Sequence, residues 1–498
     1  MSVRRCFVVF AICCLSTGAF AKDFFLTIGG GYSPSGNQAS LEKNVLFHQR
    51  LLAERGLQQL PNDIFFADGA ARGKDLQVVD RDSLPKANRL MAEFFGSTRN
   101  LGLTYRNHEV PGVRGATSPE LIRKWFAEVG STMKSGDRLM LYVTSHGSKS
   151  ADGDSKYDTA ISLWNNKKIK VSELVKMLDT LPEDITVAAV MVQCHAGGFA
   201  RFIYNEGNPD KGLSPQKRCG FFATVYDRPA AGCTPEINEA TYVEYSTYFW
   251  AGIAGHSRTG DSVKLPDYDA DGRVSFAEAH AYTVLTANTI DLPIKTSGEF
   301  LGVESLFANE NHPELLADDT EYATVLSLAD DSEKAILEGL SDQLGLAGEN
   351  RISDARRQGR QRRSSNRGRR PSDPSAQYRS RISNDLKRRW PELANVVNPV
   401  AIELMTTRSD EFIRAVEGHR DYKRYQEAVK KKSAISDPRK DKVKYERFVR
   451  TAENVILREN LMRLNDAERM AEYNAIVALE SQTLESLSSA TKPQETLP

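Results

Sequence analysis

Two residues in this chain are placed to carry out acyl-transfer chemistry together. His146-Gly147 follows the apolar run Arg138–Thr144, and Cys194 follows the run Thr186–Val192, 48 residues beyond the histidine. A thiolate is the nucleophile in such chemistry; a neighbouring imidazole favours it and later protonates the leaving group. Backbone N–H groups at the point of attack hold the developing oxyanion, and Gly147, lacking a side chain, lets a substrate approach its amide. His195 sits next to the cysteine in sequence, so its side chain is expected to be directed elsewhere. A cysteine at a strand end is often a small buried hydrophobe. The reading therefore rests on the pair and its placement, not on either residue alone.

A second motif is independent of the first. Asp267-Tyr-Asp269-Ala-Asp271-Gly272-Arg273-Val-Ser275-Phe-Ala-Glu278 matches the twelve-residue calcium loop of EF-hands at every defined position. Calcium takes six to eight oxygens. Asp267, Asp269 and Asp271 supply loop positions 1, 3 and 5, Arg273 its carbonyl at 7, Ser275 sits at 9, and Glu278 closes the site at 12. A helix is expected to leave the loop at Phe276. The entering segment, Ser257 to Pro266, contains Gly260 and Pro266 and does not read as helical, so a solitary, structural Ca²⁺ loop is expected. Asp152-Gly153-Asp154 lacks the remaining ligands and reads as an acidic turn.

The elements that position these residues alternate strand and helix. Phe24–Ile28 is a short apolar run stopped by Gly29-Gly30-Gly31, which reads as a buried strand ending in a loop. A helix starts near Ser40, and another at Ser118-Pro119, with serine as cap and proline in the first turn. Arg138–Thr144, Thr186–Val192 and Gly220–Tyr226 read as further buried strands, with a helix over Ser172–Leu181. Apolar runs of this kind separated by helices imply an α/β fold with a mostly parallel sheet covered on both faces. Sites in such sheets lie beyond the carboxyl ends of the strands.

At 498 residues the chain is long enough for two or three units, and Lys+Arg 66 balances Asp+Glu 66. Residues 1–21 read as a secretory leader, with Arg4 and Arg5, an apolar stretch to Leu15, and Ala19-Phe20-Ala21 as the cleavage site. After its removal no transmembrane segment is expected, and the location is periplasmic or extracellular. The mature chain then keeps Cys194, Cys219 and Cys233. Cys219 and Cys233 are close enough in sequence to pair, which leaves Cys194 free; three reduced thiols is the alternative. Residues 22–330 form the catalytic unit, 331–381 an Arg-rich flexible linker, and 382–498 a charged helical region able to engage a partner. Residues 351–370 hold nine Arg against one acidic residue, Asp354. No aromatics interleave with them, so nucleic-acid or polyanion binding there is not expected, whereas an exposed basic linker is a natural cleavage site.

The two catalytic blocks resemble a known family. Tyr142-Val-Thr-Ser-His146-Gly147-Ser148 and Val190-Met-Val-Gln-Cys194-His-Ala-Gly-Gly198 look like the histidine and nucleophile blocks of caspase-like cysteine peptidases, closest to legumains. Val110–Pro119 and Cys233–Tyr248 are similar to further legumain segments. The resemblance spans about residues 24–300 and implies a three-layer α/β/α caspase-like sandwich. It implies a cysteine endopeptidase acting on protein or peptide substrate through a thioester, with Cys194 as nucleophile and His146 as general acid/base. The Gly147 and Cys194 amides would hold the oxyanion, no organic cofactor would be needed, and Glu244 is the match to an acidic residue of the S1 pocket. Gln193 stands where legumains have Ala and His195 follows the nucleophile, which leaves Asn, Arg/Lys and Asp all open at P1. The alternative from a different class is a catalytically silent, calcium-binding scaffold of the same fold.

Overall fold

A computed structural model describes residues 21–153, 155–304, 314–364, 373–434 and 437–484, without the side chains of 361–364 and 434. The leader expected over 1–21, apart from Ala21, and Asp154 of the acidic turn lie outside the described residues.

Seven strands form the central sheet: β1 (Asp23–Gly29), β2 (Asn62–Phe66), β3 (Val113–Gly115), β4 (Arg138–Thr144), β5 (Thr186–Met191), β6 (Lys217–Phe222) and β7 (Ile294–Lys295). Their order is β7-β6-β5-β4-β1-β2-β3, with every pairing parallel except β6–β7. Because successive side chains of a strand point to opposite faces, each strand feeds two cores. Leu26, Leu141, Val143, Ala189 and Met191 pack on one face against α2 (Pro119–Glu128) and α3 (Val171–Leu178). Phe25, Tyr142, Val190 and Phe221 pack on the other against α1 (Ala39–Glu54), α4 (Tyr245–Ala254) and the start of α5 (Phe276–Thr286). Each such buried aliphatic contributes about 2 kcal/mol. The Ser118 hydroxyl caps α2 by accepting from Leu121 N at 3.1 Å, and Pro119 occupies the first turn.

Beneath the sheet lies a buried ion pair. Arg138 grips both carboxylate oxygens of Asp23 at 2.7 and 3.0 Å. It also donates to Gln482 Oε1 and Thr483 O, each at 3.0 Å. Burial pushes the Asp23 carboxyl up, with Arg138 opposing.

Three expectations are corrected. The strand read at Gly220–Tyr226 runs instead from Lys217 to Phe222, and residues 223–231 leave the sheet as a loop. The stretch 331–381 is not an unstructured linker where described. It forms α6 (Asp331–Leu344), α7 (Arg351–Ser364) and the start of α8 (Pro374–Arg389). The reason is a thin apolar stripe inside highly charged sequence, acidic in α6 and basic in α7: Ile336, Leu337, Leu340, Ile352 and Ala355 are buried against Tyr445, Phe448, Ala452, Val455 and Ile456 of α9 (Pro438–Arg463). Finally, Cys219 and Cys233 are not bonded. All three mature thiols are free, Cys219 buried in the β6 core and Cys233 exposed.

The C-terminal helices pack on the sheet domain. Ala281 and Val284 of α5 share a core with α9, and Tyr473 and Ile476 of α10 (Ala467–Glu480) join the core beneath α3. Phe448→Ala is therefore expected to cost about 3–5 kcal/mol and to lower the melting of the whole chain as one transition. A helical unit that melts early while the sheet signal stays unchanged would show the two to be independent.

Candidate active site

The register of two strands brings the histidine and the cysteine together. β4 and β5 pair with Val143 opposite Met191, and Val192 N donates to Val143 O at 3.0 Å. Three residues past each member of that pair stand His146 and Cys194. Gly147 is forced by this closeness, since a Cβ there would overlap the Cys194 carbonyl oxygen and lie 2.9 Å from Gln193 Cγ. Ser145, buried, has its hydroxyl oxygen 2.7 Å from Gly30 O and 2.6 Å from Ser162 O, donates its one proton between them, and pins the turn before the histidine.

The imidazole is held from the loop that follows β1. His146 Nε2 lies 2.8 Å from Gly36 O and 2.9 Å from Gln38 Oε1. Both partners are oxygen acceptors, so Nε2 carries the proton and Nδ1 keeps the lone pair. The Tyr32 ring meets the imidazole edge-on at 5.2 Å. Burial lowers the His146 pKa, with the Gly36 bond opposing. The Gly36–Gln38 loop is itself anchored, because Asn37 accepts from Gly31 N and donates to Asp75 O and Oδ2.

Cys194 is partly buried at the start of a sharp turn. His195 adopts the left-handed region at φ 62°, a conformation that costs of order 1 kcal/mol, and the chain then coils into Ala196–Ile203. The His195 side chain points away, with Nδ1 2.9 Å from Tyr226 O. Ala230 N donates to Cys194 Sγ at 3.3 Å. Burial raises the Cys194 pKa, the Ala230 N–H opposes this, and the charge of Asp291 adds to the rise. Thiol up and imidazole down describe a neutral pair, and the two side chains are not hydrogen-bonded to one another. Catalytic bonds of this kind commonly tighten only with substrate in place.

Glu244 lies under the same loop. It is 3% exposed, precedes α4, and its carboxylate sits where a Cβ on Gly232 would go. Arg258 reaches it at 3.4 Å and also bonds Asn44 Oδ1 and Thr247 Oγ1, each at 2.8 Å. Burial pushes the Glu244 carboxyl up to about 7, with Arg258 opposing. Glu244 is thus a buried, countered acid and not a bare carboxylate open to a basic side chain. Arg258, Gln38, Ala230 and Asp291 carry no motif. Only the Gly36–Gln38 loop had a usable signal, its place after a strand that opens the sheet.

In the acidic loop, Asp267, Asp269 and Asp271 each place a carboxylate oxygen within 4.8 Å of the others. Gly272 takes φ +84° at the tight turn. Asp267 Oδ1 is buried with no hydrogen-bond partner, an orphan that a cation would satisfy, so the residues present fit a hard divalent ion. Glu278 points into the loop, but its oxygens accept from Tyr268 N, Asp269 N and Ser275 N at 2.7, 3.3 and 2.8 Å. Ser275 caps α5 in a capping box with Glu278. Arg273 N donates to Asp271 Oδ1, leaving the Arg273 carbonyl as its contribution to a metal. A second group that the sequence reading missed, Asp68, Asp75 and His108, also gathers within 4.8 Å. There Asp75 accepts from His108 N at 2.8 Å and His108 bonds Gly69 O at 2.8 Å, which ties three loops together.

No family model matches the chain, and no curated protein matches it. A crystal structure of a structural-genomics target from Geobacter sulfurreducens aligns with TM-score 0.29 and 10% identity, covering 52% of this chain and 88% of that one. A likeness of that size bears on neither fold nor activity.

A neutral resting pair has a pH signature. A raised thiol pKa means that the thiolate grows in only as pH rises. Alkylation of Cys194 by iodoacetamide is therefore expected to have its midpoint above the ordinary thiol value of about 8.5, measured by mass spectrometry across pH 5–10. A midpoint below about 7 would mean a preformed thiolate–imidazolium pair.

Proposed function

We propose that this chain is an exported cysteine endopeptidase of caspase-like architecture, related to the legumains, with a structural calcium. The observation that carries the reading is the placement of His146 and Cys194 at matched positions beyond two adjacent parallel strands, with Gly147 packed on the nucleophile's own carbonyl.

The chemistry follows from the bonds already described. As Cys194 Sγ attacks the scissile carbonyl, its proton passes to His146 Nδ1, whose lone pair is available because Nε2–H is committed to Gly36 O. The imidazolium so formed is stabilised by that carbonyl and by Gln38. The amides of Gly147 and Cys194 face the oxyanion. Collapse of the tetrahedral adduct breaks the C–N bond, Nδ1 returns the proton to the departing amine, and a thioester remains. Water then attacks the thioester, giving its proton to Nδ1, and the thiol leaves reprotonated. Glu244, the match to the acidic residue of S1, is buried against Arg258, so it offers no open carboxylate to a basic P1 side chain and acts on S1 only from behind its wall.

Calcium, when bound, supplies a fixed positive centre at the start of α5. Asp267, Asp269, Asp271, the Arg273 carbonyl, Ser275 and Glu278 would hold it, with Glu278 turning from the loop amides to the ion.

The test is a positional-scanning peptide library run with the full chain, with Cys194→Ala as control. Cleavage is expected for wild type and is expected to fall roughly 10³-fold or more in Cys194→Ala and His146→Ala. No turnover of any member, with a folded protein, would leave the silent scaffold as the function. Calcium at a hundred times its Kd is expected to stabilise the wild type by about 2.7 kcal/mol, read as a melting shift against EGTA. Asp267→Asn is expected to abolish most of that shift, and an equal shift in both proteins would remove the metal assignment.

A further inference from the structure

Two segments outside the strands hold the nucleophile's backbone. In the first, residues 226–231, Arg228 O accepts from His195 N at 2.9 Å and Ala230 N donates to Cys194 Sγ at 3.3 Å. In the second, residues 287–291, Asp291 Oδ1 accepts from Ala231 N at 2.6 Å. Both segments lean on consecutive residues of one C-terminal helix. Arg228 bonds both carboxylate oxygens of Glu446, which Lys442 also meets at 3.0 Å. Arg447, 1% exposed, donates to Asp291 O at 2.9 Å, Val284 O at 3.1 Å, Ala287 O at 2.6 Å and Thr289 Oγ1 at 2.9 Å. A guanidinium with four buried acceptors fixes geometry in a way an apolar side chain of equal size does not. It also caps the last carbonyls of α5, where a cation is favoured.

We propose that Glu446 and Arg447 are positioning residues for the Cys194 nucleophile, so that α9 is a fixed brace of the active site and not a separable module. The proposal rests on the peptidase reading for its catalytic meaning. The chain of contacts is short: Arg447 to Asp291, Asp291 to Ala231, and the adjacent Ala230 to the sulfur; in parallel, Glu446 to Arg228 and Arg228 to the residue after the nucleophile. Charge runs along the first route as well. The groups that face Asp291 are Arg447, Cys194, Glu244, Tyr245 and Tyr248, with the Ala231 N–H and the Thr289 hydroxyl. Burial pushes the Asp291 carboxyl up to about 6, and the Ala231 N–H, Arg447 and Thr289 oppose the rise. Burial likewise lowers the Arg447 pKa to about 10, with Asp291 opposing. In its charged form Asp291 disfavours the Cys194 thiolate.

The experiment uses the full chain and two readouts. One is kcat and KM on the best library peptide; the other is the iodoacetamide rate at Cys194 against pH, with Cys194→Ala as the blank for the other thiols. Arg447→Met is expected to lower kcat roughly tenfold or more with KM changed less than about twofold, and Arg447→Lys to recover part of the loss. Asp291→Asn, which removes the charge and keeps the shape, is expected to move the alkylation midpoint down by about half a pH unit or more. A folded Arg447→Met with wild-type kcat and alkylation overturns the proposal. If Arg447→Met does not fold, Arg228→Gln and Glu446→Gln decide at less buried positions, and wild-type rates in both overturn it. If wild type cleaves nothing, the peptidase reading falls alone, because the alkylation rates still respond to the brace or fail to.

Discussion

Everything at this site depends on the register between two parallel strands. Parallel strands deliver their carboxyl ends to the same edge, and a one-residue slip turns every side chain to the opposite face. With Val143 opposite Met191, the histidine and cysteine emerge at the same height. The register is specified by burial on both faces, since Leu141 and Ala189 on one side and Tyr142 and Val190 on the other all need their places. The site thus inherits its geometry from the hydrophobic core, and Gly147 is the residue that lets the two strand ends close together.

Around that frame the polar groups set protonation. The sulfur sits among burial, one amide and a nearby carboxylate, and the imidazole among two oxygen acceptors and an aromatic edge. Each environment favours the neutral form, so the resting proton is on sulfur. The same logic governs Glu244, which burial and Arg258 pull in opposite directions. These groups come from the loops after β1, β4, β5 and β6, from the turn before α4 and from the segment after α5, so the site is a convergence of loops on one sheet edge.

Much of this was legible in the sequence. The strands Phe24–Ile28, Arg138–Thr144 and Thr186–Val192 were apolar runs with clean stops, and the acidic loop from Asp267 to Glu278 stood out by spacing alone. The strand at β6 was misplaced because Ala223–Tyr226 are as apolar as the strand itself, yet leave the sheet to form the loop over the nucleophile. The helix at 351–364 was hidden because Ile352 and Ala355 are a two-residue stripe in an Arg-rich stretch, visible only beside α9, whereas α6 carried its own stripe of Ile336, Leu337 and Leu340 behind an Asp330 cap. Gly36 and Gln38 had only their place in the loop after β1 to mark them, and Arg258, Asp291 and Arg447 had no local signal. Each acts through a partner far along the chain, as Arg447 does with Asp291, 156 residues away, and no periodicity encodes such a meeting.

The ion pair beneath β4 has a consequence for how the molecule is made. Arg138 belongs to the central strand, yet two of its acceptors are Gln482 and Thr483, 344 and 345 residues later. During folding the base of that strand waits for a distant part of the chain, and closing so wide a loop is slow. The base of the central strand therefore stays unsealed until a segment more than three hundred residues further along has docked, and Gln482 and Thr483 act as its latch.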